Sequence, residues 1–262
     1  MIPVVPSGVE ESLNISGAAR EVSTLFDTTK RLFAAFDVYH DTVPHSAAMN
    51  MAIDEALLEY ATVPAIRFYR WHSPALSFGY FGKFRDAVDY VSTRDLVRRW
   101  TGGGMVFHGE DLTYSIVIPA NDTVFGASSA SIYEKVHRAL VDALSKIGKC
   151  AVVARGIDPG GIVAATRTAV TVSGYNCFAN PVRADVMIGG RKIAGAAQRR
   201  TRRGLLQQGS IQGVDLGNGL AERFAEVLSA NCSEREVAVK ILNRARELAH
   251  CKYGTDAWLR KR

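Results

Sequence analysis

Three consecutive glycines, Gly102, Gly103 and Gly104, constrain the fold more than any other stretch of this chain. Glycine loses the most backbone freedom on ordering, so the run cannot stabilise the interior of a helix or a strand. The segment Leu112–Pro119 that follows is rich in β-branched and aromatic residues and predicts a strand. We expect the glycines to form a loop held between strands, where a ligand can approach the backbone and its N–H groups.

Two arginines stand just before this loop. Arg98 and Arg99 add fixed positive charge of the kind that binds a carboxylate or a phosphate. The alternative is that the run is only a flexible hairpin turn, which is what a triple glycine by itself usually indicates. The arginines and a second glycine-bearing motif further along the chain favour a ligand loop.

Length and composition indicate a globular protein with an ordinary core. The chain has 262 residues, of which 47% are hydrophobic, and no window holds the roughly 18 consecutive apolar residues of a membrane span. The first residues lack a basic segment followed by an apolar one, so we predict a cytoplasmic protein without membrane contact. We expect residues 1–30 to be a loosely ordered extension and residues 31–262 to be a single catalytic domain with a helical C-terminal tail.

The charge balance predicts an acidic or polyanionic partner. The formal net charge is +6, and the densest basic group, at residues 199–203, has four arginines among five residues. An acidic protein domain and nucleic acid both fit, and so does a purely solvated charge run. Because no nucleic-acid reader motif is present, a binding protein for nucleic acid ranks below an enzyme.

The cysteines match no zinc-binding pattern. Cys150, Cys177, Cys232 and Cys251 include no C-x-x-C pair, and in a cytoplasmic protein we expect free thiols. Cys150, Cys232 and Cys251 lie in or beside amphipathic segments, which favours a place in the core.

Apolar periodicity predicts an α+β fold with mixed, mostly antiparallel β-sheets and helices packed on them. A helix is expected at residues 50–60, and another at 131–144, with Ser131 and Glu134 forming a capping box. His72, Ser73 and Pro74 suggest a hairpin turn, as do Gly189 and Gly190. Residues from 220 onward predict two or three helices. The expected strands are 65–71, 75–80, 112–119, 184–188, 191–199 and 204–211.

Two motifs together resemble the lipoate–protein ligase and octanoyltransferase family, which shares its catalytic domain with biotin–protein ligases. The first is Arg-Arg-x-Thr-Gly-Gly-Gly at 98–104, and the second is Gly-Arg-Lys-Ile-Ala-Gly-x-Ala-Gln-Arg-Arg at 190–200. The helix that starts near Asn50 is similar to the family's first helix, and residues 67–79 are similar to its opening hairpin. The resemblance runs from about residue 50 to about residue 213.

The resemblance implies attachment of a lipoyl, octanoyl or biotinyl group to one lysine of a small, acidic acceptor domain. The acyl group is activated either as an acyl-adenylate, made with ATP and Mg²⁺, or as a thioester on an acyl carrier protein. Lys192 matches the lysine that contacts the acyl carbonyl and, in ligases, the adenylate phosphate; its charge would stabilise the oxyanion. The alternative is a solvated lysine beside a turn.

The resemblance also implies roles for other residues. Asp185 matches an aspartate near the nucleotide phosphates and Mg²⁺ in ligases, although an aspartate before a strand is more often a turn former. His108 either orients the glycine loop or satisfies a buried hydrogen bond. The implied substrate-binding residues are Arg70, Arg98, Thr101, Gly102, Gly103, Gly104, His108 and Gly195.

Cys177 bears on the choice between a ligase and a transferase. Some octanoyltransferases of the family carry a nucleophilic cysteine in a similar Cys-Phe segment, where a nearby lysine lowers the thiol pKa. Some ligases carry Cys-Phe there too, and a small buried residue is the third alternative. Gly104 replaces an arginine, and Asp185 a glutamate, that this transferase branch commonly has. Both differences favour a ligase.

The main prediction is therefore an ATP-dependent lipoate or octanoate ligase. The alternative is an octanoyltransferase that uses Cys177 and needs no cofactor, and a biotin ligase or a non-enzymatic binding protein ranks lower. Residues 214–262 are too few for the accessory domain of many ligases, so a ligase would need that domain on a separate chain. Gln208 stands where the family usually has a histidine, which predicts an effect on activity.

Overall fold

The computed structural model describes residues 31–155, 178, 181–215 and 219–261. Along these residues, runs of consecutive strands are separated by single helices, and most of the helices lie towards the C-terminus. The strands are β1 Phe36–His45, β2 Ala65–Trp71, β3 Ala75–Phe78, β4 Asp95–Arg98, β5 Val106–His108, β6 Leu112–Pro119, β7 Val152–Val153, β8 Val186–Ile188, β9 Arg191–Arg200, β10 Gly204–Ile211 and β11 Cys232–Glu234. The α-helices are α1 Ala47–Tyr60, α2 Ser129–Lys146, α3 Leu220–Leu228, α4 Val239–Leu248 and α5 Asp256–Leu259.

Eight strands form the main sheet in the order β11-β1-β2-β6-β10-β9-β8-β7. β1 runs parallel to both β11 and β2, and the remaining neighbours are antiparallel. A smaller sheet has the order β4-β3-β5. These mixed, mostly antiparallel sheets with packed helices confirm the predicted fold class.

Both faces of the main sheet are buried, because apolar side chains along one strand point alternately to the two faces. Ile66 and Phe68 of β2 face a core that includes α2 and α3. Tyr69 and Trp71 of the same strand face the core built with α1 and α4. Since successive side chains of a strand point to opposite faces, one strand contributes to both cores.

Several predicted elements are confirmed, with shifted ends. α1 begins three residues before the predicted start, because Ser46 caps it by accepting a hydrogen bond from the Met49 amide at 3.3 Å. In α2 the cap is Ser128, whose hydroxyl accepts from the Ser131 amide at 3.2 Å, so the predicted cap at Ser131 is wrong. Gly189 and Gly190, with φ of 55° and 77°, form the predicted turn between β8 and β9.

The predicted hairpin at residues 72–74 is wrong. β2 and β3 belong to different sheets, because both edges of β2 are already paired, to β1 and to β6. The glycine run is likewise no hairpin turn: β4 and β5, which flank it, pair on opposite sides of β3. The core positions expected for Cys150, Cys232 and Cys251 are also wrong, since all three are exposed. None of the helices in the described ranges is long and apolar enough to cross a bilayer.

Candidate active site

A mostly apolar pocket lies where the glycine loop meets the facing strands β9 and β10. Its empty volume, which includes space open to solvent, is about 440 Å³. Met51, Tyr69, Trp71 and Val106 supply apolar wall, and Phe178 closes one side. Gly103, His108 and Gly195, all predicted site residues, also line this pocket.

Lys192 lies behind the pocket wall in a buried ion pair. Its side chain is 1% exposed, and its Nζ lies 2.8 Å from Oδ2 of Asp185. Gly195 makes room for it, because a Cβ there would lie 2.6 Å from Lys192 Cε and 2.7 Å from Nζ. The ammonium is also 5.3 Å from the ring centroid of Phe178. The lysine is therefore held against the pocket and is not the solvated residue of the alternative interpretation.

Asp185 is surrounded by protein donors. Oδ1 accepts a hydrogen bond from the Tyr133 hydroxyl at 2.6 Å, and Oδ2 accepts one from the Val182 amide at 2.7 Å. Burial, followed by the charge of Asp185, raises the pKa of Tyr133, so this hydroxyl stays a donor. With Lys192 on the same carboxylate, Asp185 as arranged here does not fit a magnesium site. The described residues also hold no cluster of three or more histidine, cysteine or acidic side chains suited to a metal ion.

Arg98 and Arg99 have different surroundings, although they are neighbours in sequence. Arg98 is 1% exposed and donates to the backbone carbonyls of Tyr80 and Gly82 at 2.8 and 2.6 Å. It also donates to the carbonyls of Leu259 and Lys261 in the C-terminal segment, residues 255–261. It does not line the pocket. Arg99 does, and its Nη2 donates to the carbonyls of Gly102 and Gly104, each at 2.9 Å. Arg99 therefore fixes the glycine loop.

A hydrogen-bonded chain behind the loop orients Arg99. His108 Nδ1 lies 2.8 Å from Oδ2 of Asp111, and its Nε2 lies 2.7 Å from Oγ of Ser77. Arg99 Nη1 donates to the same Ser77 oxygen at 2.7 Å. Burial lowers the pKa of His108, which is therefore neutral at pH 7, with Nδ1–H donating to Asp111 and Nε2 accepting from Ser77.

Asp111 anchors that chain as a carboxylate. Burial by itself would raise its pKa, but hydrogen bonds from His108, Ser210 and Thr113 lower it to about 2. His108 accordingly does both things that the sequence left open: its buried hydrogen bonds are satisfied, and through Ser77 it supports the arginine that holds the loop.

Thr101 and Gln208 tie the start of the glycine loop to helix α1. The Thr101 hydroxyl donates to Gln208 Oε1 at 2.8 Å, and Gln208 Nε2 donates to Oδ2 of Asp54 at 2.7 Å. Asp54 is fully buried and also pairs with Arg67 at 2.9 Å. Gln208 thus bridges the loop and the core at the position where the resemblance implies a histidine.

The other predicted site residues differ in their position. Arg70 is exposed and lies outside the pocket wall. Cys177 lies outside the described residues, whereas Phe178, the next residue in the chain, lines the pocket. Sequence reasoning gave no site role to Ser77, Asp111 or Tyr133, because the partners that they contact lie on other strands and loops. The available signal was weak: Asp111 follows His108 by three residues at the start of a predicted strand.

Comparisons with known proteins agree with this architecture. The model of the lipoyl protein ligase A/B catalytic domain matches residues 46–249. An octanoyltransferase LipM from Halalkalibacterium halodurans is 32% identical over 219 residues, which cover 77% of each chain. Another, from Oceanobacillus iheyensis, is 37% identical over 179 residues, covering 65% of this chain and 62% of that one.

Solved structures show the same fold. Lipoate–protein ligase A bound with ATP superposes with a TM-score of 0.65 at 24% identity, covering 86% of this chain and 98% of that one. A bipartite lipoate protein ligase from Thermoplasma acidophilum, described with its E2 lipoyl domain, gives 0.63 at 23% identity, with 87% and 96% covered. The chain belongs to the lipoyl protein ligase A/B catalytic domain family.

Proposed function

We propose that this protein transfers an octanoyl group from a carrier-bound thioester to the side chain of one lysine in an acidic lipoyl acceptor domain. The observation that carries the proposal is the Lys192–Asp185 pair at 2.8 Å, buried directly behind Gly195 in the wall of an apolar pocket. A preorganised ammonium at a water-excluding site stabilises the oxyanion that forms when a nucleophile attacks a carbonyl. The apolar wall suits an acyl chain.

The relatives favour the octanoyltransferase over the ATP-dependent ligase. The octanoyltransferase was the alternative prediction from the sequence, and the ligase was the main one. The curated relatives are octanoyltransferases. One geometric feature supports the same choice. Asp185, which the resemblance assigns to Mg²⁺ in ligases, is engaged by Lys192 and by the donors Tyr133 and Val182.

Cys177 is the proposed nucleophile. Its thiolate attacks the thioester carbonyl, the bond to the carrier sulfur breaks, and the carrier thiolate leaves and takes up a proton. The neutral amine of the acceptor lysine then attacks the octanoyl-cysteine, the carbon–sulfur bond breaks, and an amide and a free Cys177 result. The place of Phe178 in the pocket wall, with Lys192 Nζ 5.3 Å from its ring, supports this assignment. Cytoplasmic localisation and the N-terminal extension stay predictions.

Intact mass of an apo lipoyl domain tests the proposal under two donor conditions. We expect an octanoyl adduct with octanoyl-acyl carrier protein in the absence of ATP, and none with octanoate or lipoate, ATP and Mg²⁺. Quenched intermediate should carry the octanoyl mass on the peptide that holds Cys177, and Cys177→Ala should remove it. Modification only in the presence of ATP would overturn the proposal and restore the ligase.

A single methyl group tests the role of Lys192. In Gly195→Ala the new Cβ occupies the space of Lys192 Cε and Nζ, so the ammonium must move. We expect transfer to fall at least about tenfold, since an oxyanion-stabilising donor contributes a few kcal/mol. Gly126→Ala, where a Cβ meets nothing within 4 Å, is the matched control. Equal activity of the two variants would contradict a role for the Lys192 position.

A further inference from the structure

A cluster of aromatic rings and cations lies beside the glycine loop. We call it the rim cluster, and it consists of Tyr80, Trp100, Arg199, Trp258 and Lys261. The Tyr80 amide donates to the Thr101 carbonyl at 2.8 Å, which attaches the cluster to the loop. Arg199 follows Ala197 by two residues on β9, and alternate residues of a strand share a face. Because Ala197 lines the pocket, the cluster borders its opening.

Arg199 is preorganised between two rings. Its guanidinium carbon lies 5.2 Å from the ring centroid of Tyr80 and 5.3 Å from that of Trp100. Its Nε is buried and has no hydrogen-bond partner among the described residues. A buried N–H donor without a partner carries a desolvation cost, which an anionic ligand would relieve. The guanidinium fork suits a phosphate or carboxylate.

Lys261 brings a second charge from the C-terminal segment. Its Nζ donates to the Tyr80 hydroxyl at 2.7 Å. The salt bridges of the described residues pair neither Lys261 nor Arg199 with a carboxylate, whereas Lys252 nearby is paired with Glu55 at 2.5 Å. The hydrogen bond from Lys261, with the charges of Lys261, Arg199 and Lys252, lowers the pKa of Tyr80. The potential at the rim is therefore positive.

Arg98 holds this segment in place. Its Nη2 donates to the carbonyls of Leu259 and Lys261 at 3.0 and 2.8 Å. The segment lies beyond residue 249, where the family match ends, so residues outside that match complete the rim. Phe81, next to Tyr80, is 83% exposed, and aromatic side chains and arginine are enriched in protein–protein interfaces.

We propose that the rim cluster docks the acyl donor, an acidic carrier protein that presents the octanoyl thioester on a phosphate-linked arm. Arg199 and Lys261 bind the phosphate, and Phe81 packs against the carrier surface. This inference rests on the proposed function. A donor fits better than the acceptor domain, because the acyl chain must enter the pocket at this opening while its arm crosses the rim, and a phosphate matches the paired cations.

Steady-state transfer with two donors tests the docking role. One donor is octanoyl-acyl carrier protein, and the other is the octanoyl thioester of a short neutral thiol, which has neither phosphate nor protein. The donor ratio is kcat/KM for the carrier donor divided by kcat/KM for the short donor. For Arg199→Gln/Lys261→Gln we expect this ratio to fall about tenfold, because the KM for the carrier donor rises. The fall should be larger at low salt, where charges are less screened. Lys261→Glu, which reverses the charge at an exposed position, should act in the same direction.

Lys146→Gln/Lys240→Gln is the control, since it removes the same charge from exposed lysines of α2 and α4. An unchanged donor ratio in the rim variants, an equal fall in the control, or an effect on the KM of the acceptor domain would each overturn the inference. Failure of the wild-type protein with both donors would instead refute the proposed function. Normal transfer with unchanged donor discrimination would refute the docking site alone.

Discussion

Gln208 shows how one side chain can replace another when the hydrogen-bonding requirement is kept. The position needs an acceptor for the Thr101 hydroxyl, at 2.8 Å, and a donor for Asp54, at 2.7 Å. An amide supplies both, and so does a neutral imidazole, whose two nitrogens differ in role. Histidine could therefore make the same two hydrogen bonds, and the effect of Gln208 on activity stays a prediction.

We predict that Gln208→His keeps transfer activity and that Gln208→Leu loses about ten- to hundredfold in kcat/KM. Leucine has similar volume but removes one donor to Asp54 Oδ2 and leaves the Thr101 hydroxyl without its acceptor, at about 1–3 kcal/mol. The measurement is steady-state transfer to a lipoyl domain. Gln198→Leu is the control, since this half-buried glutamine on the neighbouring strand bonds only to Gln207 in the described contacts. Full activity of Gln208→Leu would show that the loop does not need the bridge.

For single residues, the sequence could identify candidate site residues but could not predict which of them contact one another. The pattern identified an arginine pair but could not say which member faces the pocket, because that depends on how β4 pairs with β3. The pattern also identified Lys192 and Asp185 separately. Their mutual ion pair depends on the register between β8 and β9, where Met187 lies opposite Lys192. Contacts made across strands are not encoded in the local spacing.

At the scale of elements, Arg98 connects the segment beside the glycine loop to the C-terminal residues 258–261. Its guanidinium donates to carbonyls beside the glycine loop. It also donates to the carbonyls of Trp258, Leu259 and Lys261, over donor–acceptor distances of 2.8–3.2 Å. We predict that Arg98→Met raises amide hydrogen exchange in residues 255–261 at least about tenfold, since several buried carbonyls lose a charged donor. Exchange followed by mass spectrometry measures this.

Arg94→Met is the matched control for that experiment. Arg94 also donates to two backbone carbonyls, those of Ala75 and His108 at 3.3 and 3.1 Å, but not to the C-terminal segment. Unchanged exchange of residues 255–261 in Arg98→Met, or an equal rise in Arg94→Met, would contradict the tethering role.

Strands with a clear local sequence pattern could be predicted. Strands that form by pairing with segments distant in sequence could not. β2, β6 and β10 have the predicted bounds, because their β-branched and aromatic runs are bordered by turn residues. The sequence analysis did not predict β1 or β11, which lie next to each other in parallel at one edge of the sheet. Parallel pairing joins segments far apart in sequence, so no local pattern indicates it.

For the whole molecule, His137 links stability to pH. It lies on α2, fully buried, with its Nδ1 2.6 Å from the carbonyl oxygen of Ala184 and its Nε2 3.0 Å from the Tyr114 hydroxyl. Burial lowers the pKa of His137 from 6.5 to about 4. The folded protein therefore prefers the neutral ring, while the unfolded chain takes up a proton below about pH 6.5. The contribution to stability is complete above that pH and is lost as the pH falls towards 4.

We predict that the free energy of unfolding falls by about 2 kcal/mol between pH 7 and pH 5 through His137 alone, with His108 adding to the fall in the same direction. Urea unfolding at the two pH values measures the change.

His137→Phe should be less stable at pH 7, because Ala184 and Tyr114 lose a buried partner, yet its stability should drop less on acidification. His72→Gln, at an exposed position, should retain the wild-type dependence. A His137→Phe protein with the full wild-type loss would mean that another group controls acid stability. The helix that carries His137 also carries Tyr133, the partner of Asp185, so acid loosening of α2 would also disturb the Lys192–Asp185 pair.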